Sequence, residues 1–116
     1  MSTSTTAPLV IARRLAIQLL HEAQIAAPLA IHGFVGAVEG SPCSFAAEAG
    51  ELARRGEAQW AEVFSNPLAP AIPDAAQLRD GALTLMISLT TKGVLQMRAW
   101  SLQGGQSVEF GLQIQD

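Results

Sequence analysis

Two histidines and a single cysteine are the only imidazole and thiol groups in this chain of 116 residues, so any metal centre must draw on them and on carboxylates. Neutral imidazole, thiolate and carboxylate are the ordinary zinc donors. His32, Asp74 and Cys43, with His21 as a further donor, form the set such a centre could use. Their spacing matches no ligand pattern, and a single histidine with a hydrogen-bond partner is the commoner occupant of an apolar strand. Asp74 follows Pro73 at the entry to Ala75, Ala76, Gln77 and Leu78, where a helix N-cap accounts for it. Cys43 reads as a small core or edge residue, with no basic cluster beside it to activate the thiol. Trp60 and Trp100 each lie within an apolar run and read as packing rather than a ligand cage. Gly104 and Gly105 read as a turn between strands.

The composition narrows the classes of function. About half of the residues are apolar, at 49%, and 15% are charged, which is the balance of one folded domain rather than a disordered chain. The net charge is -3, and Arg13, Arg14, Arg54, Arg55, Arg79, Lys92 and Arg98 are scattered, so no basic stripe exists to neutralise phosphates. Nucleic-acid binding is therefore not expected. The longest apolar stretch, residues 25–38, is broken by Pro28, His32, Gly33 and Gly36 and falls short of the roughly 20 residues of a membrane span. No membrane anchor is expected. A lone cysteine and the lack of a secretory pattern point to the cytoplasm.

The elements that would position these residues can be read in order. Residues 1–7 are small and polar and read as a flexible tail, with a single domain over 8–116. Across residues 9–27, Ala12, Leu15, Ala16, Leu19, Leu20, Ala23 and Ala27 recur at three- and four-residue spacing, which predicts an amphipathic helix with Thr6 as its cap and Pro8 in its first turn. Pro28 ends it. LAIHGFVGAV then reads as a buried strand whose Gly33 and Gly36 mark a close backbone approach or a bulge. CSFAA predicts a short returning strand, and ELARRGEAQ a helix of about two turns weakened by Gly56. QWAEVFS predicts a strand, followed by a proline-rich loop and a short helix capped at Asp74. LTLMISL, VLQMRAWSL and SVEFGLQI predict three closing strands in a meander, joined at TTKG and at Gly104-Gly105. Together these give an α+β sandwich.

The run WAEVFSNPLAPAIPDAAQL followed by LTLMISLTTKGVLQMRAWSL resembles the core of the JAB/MPN metalloproteases, the Mov34-like family that carries the JAMM motif. LAIHGFVGA is similar to the early glutamate strand of bacterial members. The resemblance implies an MPN/cytidine-deaminase-like α/β sandwich, in which a mixed sheet is flanked by the N-terminal helix and a short helix after the 66–73 loop. Carried over residue by residue, the two motif histidines fall on Phe64 and Asn66, with Ser65 between them and Pro67 retained. The motif serine falls on Asp74, the aspartate ligand on Gln77, and the catalytic glutamate on Ala30.

In catalytic relatives the motif holds a zinc ion with three protein ligands and an open position for water. Phe64 cannot bind metal, and Asn66 and Gln77 offer neutral carbonyl oxygens, weak donors for zinc. No zinc, no other cofactor and no catalytic set is therefore expected here. The resemblance implies a catalytically inactive domain that binds or scaffolds protein, with a homodimer, another MPN-fold chain or a ubiquitin-like protein as partner. The rival expectation is a divergent metal-dependent isopeptidase or peptidase whose site is rebuilt around His32 and Asp74.

Overall fold

The computed structural model describes residues 9–90 and 96–115. The expected tail, Thr6, Pro8 and the turn through Thr91, Lys92 and Gly93 lie outside them.

The first described residues depart from expectation. Leu9–Ala12 form a strand, β1, and the helix α1 runs only over Arg13–Ala26. Leu9, Val10 and Ile11 include two β-branched residues, whose side chains pack well on a pleated ribbon. Their exposure alternates as a strand's does, with Val10 42% exposed and Ile11 fully buried. Ala12 stands at the N-cap of α1 and makes no side-chain cap bond. From Arg13 onwards the helical periodicity holds, and Leu15, Ala16, Leu19 and Ala23 are buried.

The remaining elements are β2 (His32–Val38), β3 (Ser41–Ala46), α2 (Ala49–Arg55), β4 (Ala58–Asn66), a 3-10 turn at Ala75–Gln77, β5 (Leu83–Ser88), β6 (Gln96–Gln103), β7 (Gln106–Phe110) and β8 (Leu112–Gln115). The short helix expected after the proline loop is that single 3-10 turn. The last predicted strand is two strands, divided at Gly111. β8 leaves the meander there and pairs in parallel with β1, Ile11 opposite Ile114. Residues 29–31 precede β2 rather than belonging to it.

The main sheet is mixed, with strand order β3-β2-β4-β5-β6-β7. Only β4 and β5 are parallel among its neighbours, and their crossover is the proline-rich loop. One face of the sheet buries Val35, Ala61, Val63, Leu85, Ile87 and Ala99 against Leu15, Leu19 and Ala23 of α1 and Ile11 of β1. Both glycines of β2 permit close approach. A Cβ on Gly33 would lie 2.5 Å from the Phe45 ring and 2.8 Å from the Ala46 carbonyl oxygen. A Cβ on Gly36 would meet Leu52 and Glu57, so Gly36 lets α2 settle on the second face, and the strand register shifts on either side of it. Among the described residues no helix is long and apolar enough to cross a membrane.

Candidate functional site

The second face of the sheet carries α2 over β2 and β4 on one side and the crossover loop over β4 to β6 on the other. Side chains alternate across a strand, so Glu62 and Phe64 of β4 share this face, as do His32 and Phe34 of β2. The register sets His32 directly opposite Phe64, and Phe34 opposite Glu62. The result is a four-residue cluster between the two covers.

Glu62 is the centre of it. Its side chain is only 7% exposed, yet it meets two cationic or protonatable groups at the surface. His32 Nε2 lies 2.5 Å from Glu62 Oε2, and Arg79 Nε lies 3.5 Å from Glu62 Oε1. A carboxylate only accepts, so the hydrogen between them belongs to Nε2 of His32. The imidazole is also stacked on Phe64, with ring centroids 4.5 Å apart and planes 4° from parallel, and it tilts against Phe34 at 5.4 Å. Ring stacking and the carboxylate together fix the orientation of His32, although its side chain is 54% exposed.

A buried carboxylate of this kind is costly to desolvate, and exposed ion-pair partners recover only part of that cost. Glu62→Leu is therefore expected to change stability by less than about 1 kcal/mol. His32→Ala, which leaves the carboxylate buried with only the longer Arg79 pair, is expected to cost about 2 kcal/mol. Urea unfolding of the two variants checks this. Glu62→Leu proving the more damaging of the two would contradict it.

The other residues singled out by sequence lie apart from this cluster. Ala30 is exposed and precedes β2. Ser65 is buried on the α1 face, where its Oγ accepts from the Ile31 N–H at 2.7 Å while its own N–H donates to the Ile31 carbonyl, so it ties the entry of β2 to β4. Asn66 ends β4 half-buried, opposite Ser88 of β5. Asp74 is the N-cap of the 3-10 turn, and the Gln77 side-chain oxygen accepts from the Asp74 N–H at 2.8 Å. Cys43 Sγ donates to Glu57 Oε2 at 3.6 Å, and Ser44 donates to the other oxygen of the same carboxylate. His21 is exposed on α1, beyond the opposite face of the sheet. Trp60 and Trp100 are both half-buried within strands; Trp60 packs against the core, and Trp100 donates to the Ala71 carbonyl at 3.1 Å.

The structure thus brings His32 together with Glu62, and not with Asp74, Cys43 or His21. Among the described residues no three of His, Cys, Asp and Glu gather into a group that could hold a metal ion. The residues at the carried-over ligand positions do not fit zinc either. Phe64 has no donor atom and its ring is engaged by His32, and the Gln77 oxygen is engaged by the backbone of its own turn. Glu62 and Arg79 were absent from the sequence-derived candidates. The signal for Glu62 was available: it stands two residues before Phe64 between the apolar Ala61 and Val63, so a strand there must carry a carboxylate on the face of Phe64.

No family model matches the sequence, and no curated protein matches it. Solved structures do match. A protein from Desulfitobacterium hafniense aligns with a TM-score of 0.74 at 15% identity, over 93% of each chain. A JAB1/MPN domain protein from Archaeoglobus fulgidus aligns at 0.72 and 14% identity, over 96% of this chain and all of that one. A structure described as JAMM, a metalloprotease-like zinc site in the proteasome and signalosome, aligns at 0.70 and 13% identity, over 95% of this chain and all of that one.

Proposed function

The chain has a JAB/MPN-like fold, and from that premise we propose that it is a protein-binding module of this fold that does not carry out zinc-dependent peptide hydrolysis. Fold alone assigns no activity, so the reading rests on the chemistry of the site. The observation that carries it is the stacked His32–Phe64 pair, in which a ring without a donor atom stands at the place the resemblance gives to the first zinc-ligating histidine. Hydrolysis by a bound metal requires three protein donors and an open position. Here Ala30 supplies no base, Phe64 no ligand, and the nearest imidazole is committed to Glu62.

What remains is a shaped surface. His32, Phe34 and Phe64 present ring faces between α2 and the crossover loop, with the Glu62 carboxylate beneath them. Aromatic faces with a polar edge are the groups enriched where one protein holds another.

The test is hydrolysis of a mixed peptide library and of an isopeptide-linked substrate by the purified chain, with and without added zinc. The expected result is no turnover above a His32→Ala control under either condition. Turnover that zinc raises and a chelator abolishes would contradict the proposal.

A further inference from the structure

Five polar side chains are buried among the described residues, and four of them have partners. Glu62 meets His32, Ser65 accepts from the Ile31 N–H, Thr84 donates to the Gln77 carbonyl, and Ser88 donates to the Ala69 carbonyl. The fifth, Ser101 of β6, is 4% exposed and its side chain has no hydrogen-bond partner among the described residues. Sealing such a hydroxyl away from any partner would be costly. It is not sealed, because among the described residues every side-chain nitrogen or oxygen closed off from solvent has a partner. The Ser101 Oγ therefore opens into the cavity that Ser101 lines, a space of about 450 Å³.

That cavity lies on the α1 face of the sheet, at the end of β4 away from His32 and Phe64. Ser101 shares the face of Ala99 and stands opposite Leu83 of β5 and Val108 of β7. Trp60 and Phe110 supply aromatic rings to the lining, and Gln59 and Gln103 supply exposed carboxamides. A bulge brings Trp60 here. Val35 pairs with Ala61 and Gly36 with Gln59, so Trp60 is the extra residue of β4 and has no partner across in β2. Strict alternation would send its ring to the face of Glu62 and Phe64, whereas it packs against the core. Bulges re-aim a side chain in this way and are over-represented beside sites. The Trp60 Nε1 donor also has no partner among the described residues, while that of Trp100 donates to the Ala71 carbonyl.

Two unpaired donors and two aromatic rings thus meet in one cavity, and no charged residue lines it among those described. An organic cation would find no carboxylate there to offset the loss of its water. Asp80, exposed and adjoining Gly81 of the lining in sequence, would oppose an anion. Water alone satisfies the hydroxyl but leaves the rings wet. A flat protein surface does not reach a hydroxyl set this deep, whereas a small planar molecule does, and the volume falls in the range of small-molecule clefts.

We propose that this cavity binds an uncharged planar molecule of one or two fused rings bearing a hydrogen-bond acceptor. Its rings pack against Trp60 and Phe110, and its acceptor receives the hydrogen of the Ser101 hydroxyl.

Coumarin, an uncharged bicyclic lactone, is the probe; its carboxylated derivative is the charged control, and naphthalene the control without an acceptor. Heteronuclear NMR reads the two indole N–H resonances of the chain, which Trp60→Phe assigns. The Trp60 resonance is expected to shift saturably with coumarin, with a dissociation constant of about 1 mM or below, while that of Trp100 stays in place. Both controls are expected to bind at least about 5-fold more weakly. Ser101→Ala, which removes a hydroxyl that bonds to no other part of the described chain, should keep the wild-type melting temperature and weaken coumarin binding about 5-fold. The absence of a saturable shift, equal binding of either control, or unchanged coumarin affinity in Ser101→Ala would each overturn the proposal. Zinc-dependent hydrolysis would refute the proposed function and leave this inference standing, because the cavity and the His32–Glu62 cluster lie on opposite faces of the sheet.

Discussion

Gly33→Ala should lower the unfolding free energy by about 3 kcal/mol, the upper end of the cost of inserting one methyl group into a packed site. The added Cβ would lie 2.5 Å from Cε1 and 2.6 Å from Cζ of Phe45, and 2.8 Å from the Ala46 carbonyl oxygen. The half-buried ring can move aside. The carbonyl cannot, because Ala46 is paired with Phe34 in the β2–β3 ladder. An alanine also restricts the unfolded chain, which offsets about 0.4 to 1 kcal/mol of the steric cost. Urea unfolding measures it. Combining Gly33→Ala with Phe45→Ala separates the two obstacles: the pair should be less damaging than the sum of the single changes, with the remainder due to the backbone contact. A Gly33→Ala variant as stable as the parent would mean that β2 and β3 do not approach as described.

Ile11→Ala should cost about 3 kcal/mol, as a fully buried isoleucine reduced to alanine does when its surroundings cannot collapse into the space. Ile11 is completely buried, faces Ile114 across the β1–β8 ladder, and joins Leu15 and Leu19 in the core. Its neighbour Val10 is 42% exposed, so Val10→Ala should cost less than about 1 kcal/mol. The contrast between adjacent positions is what a strand requires. A helix continued back over 9–12 would also put Ile11 in line with Leu15 and Leu19, so the partner across the ladder decides: Ile11→Ala and Ile114→Ala should cost less together than the sum of the single changes. Melting temperatures of the single and double variants measure this, and strict additivity would contradict the pairing of β1 with β8.

The way the ends of the chain pair was the part of the fold least visible in the sequence. Leu9 to Ala12 share apolar character with the helix that follows, and three- and four-residue spacing can be continued backwards through Ala12. Only β8, over a hundred residues on, turns the segment into a strand, and no local signal announces a parallel partner at that distance. Gly111 is the break that frees β8, but a single glycine in an alternating run reads equally as a bulge. By contrast, the meander of β5 to β7, the buried face of α1 and the close approaches at Gly33 and Gly36 were legible, because strict periodicity and unpaired glycines in apolar strands have few other meanings. The proline loop was legible as a crossover at a strand end. Its hold on Ser88 and Trp100 was not, since both partners are distant in sequence.

At the site, the family resemblance pointed to the motif positions Ala30, Phe64, Ser65, Asn66, Asp74 and Gln77, and the donor types that a zinc ion needs pointed to His32, Asp74 and Cys43. The face-sharing rule, applied back from Phe64, would have pointed instead to Glu62. His32 was singled out, and the structure gives it Glu62 as a partner in place of the thiol and carboxylate considered with it. Arg79 carried no signal, because only the folding of the crossover loop brings it to the carboxylate.

The proposed function requires that this JAB/MPN-like chain hold no zinc ion at the cluster of His32, Glu62 and Phe64. Elemental analysis of protein purified without chelator and then dialysed against zinc at low micromolar concentration measures the bound metal directly. The account predicts well below one zinc per chain, unchanged in a His32→Ala variant. One zinc per chain, lost in His32→Ala or Glu62→Gln, would contradict it.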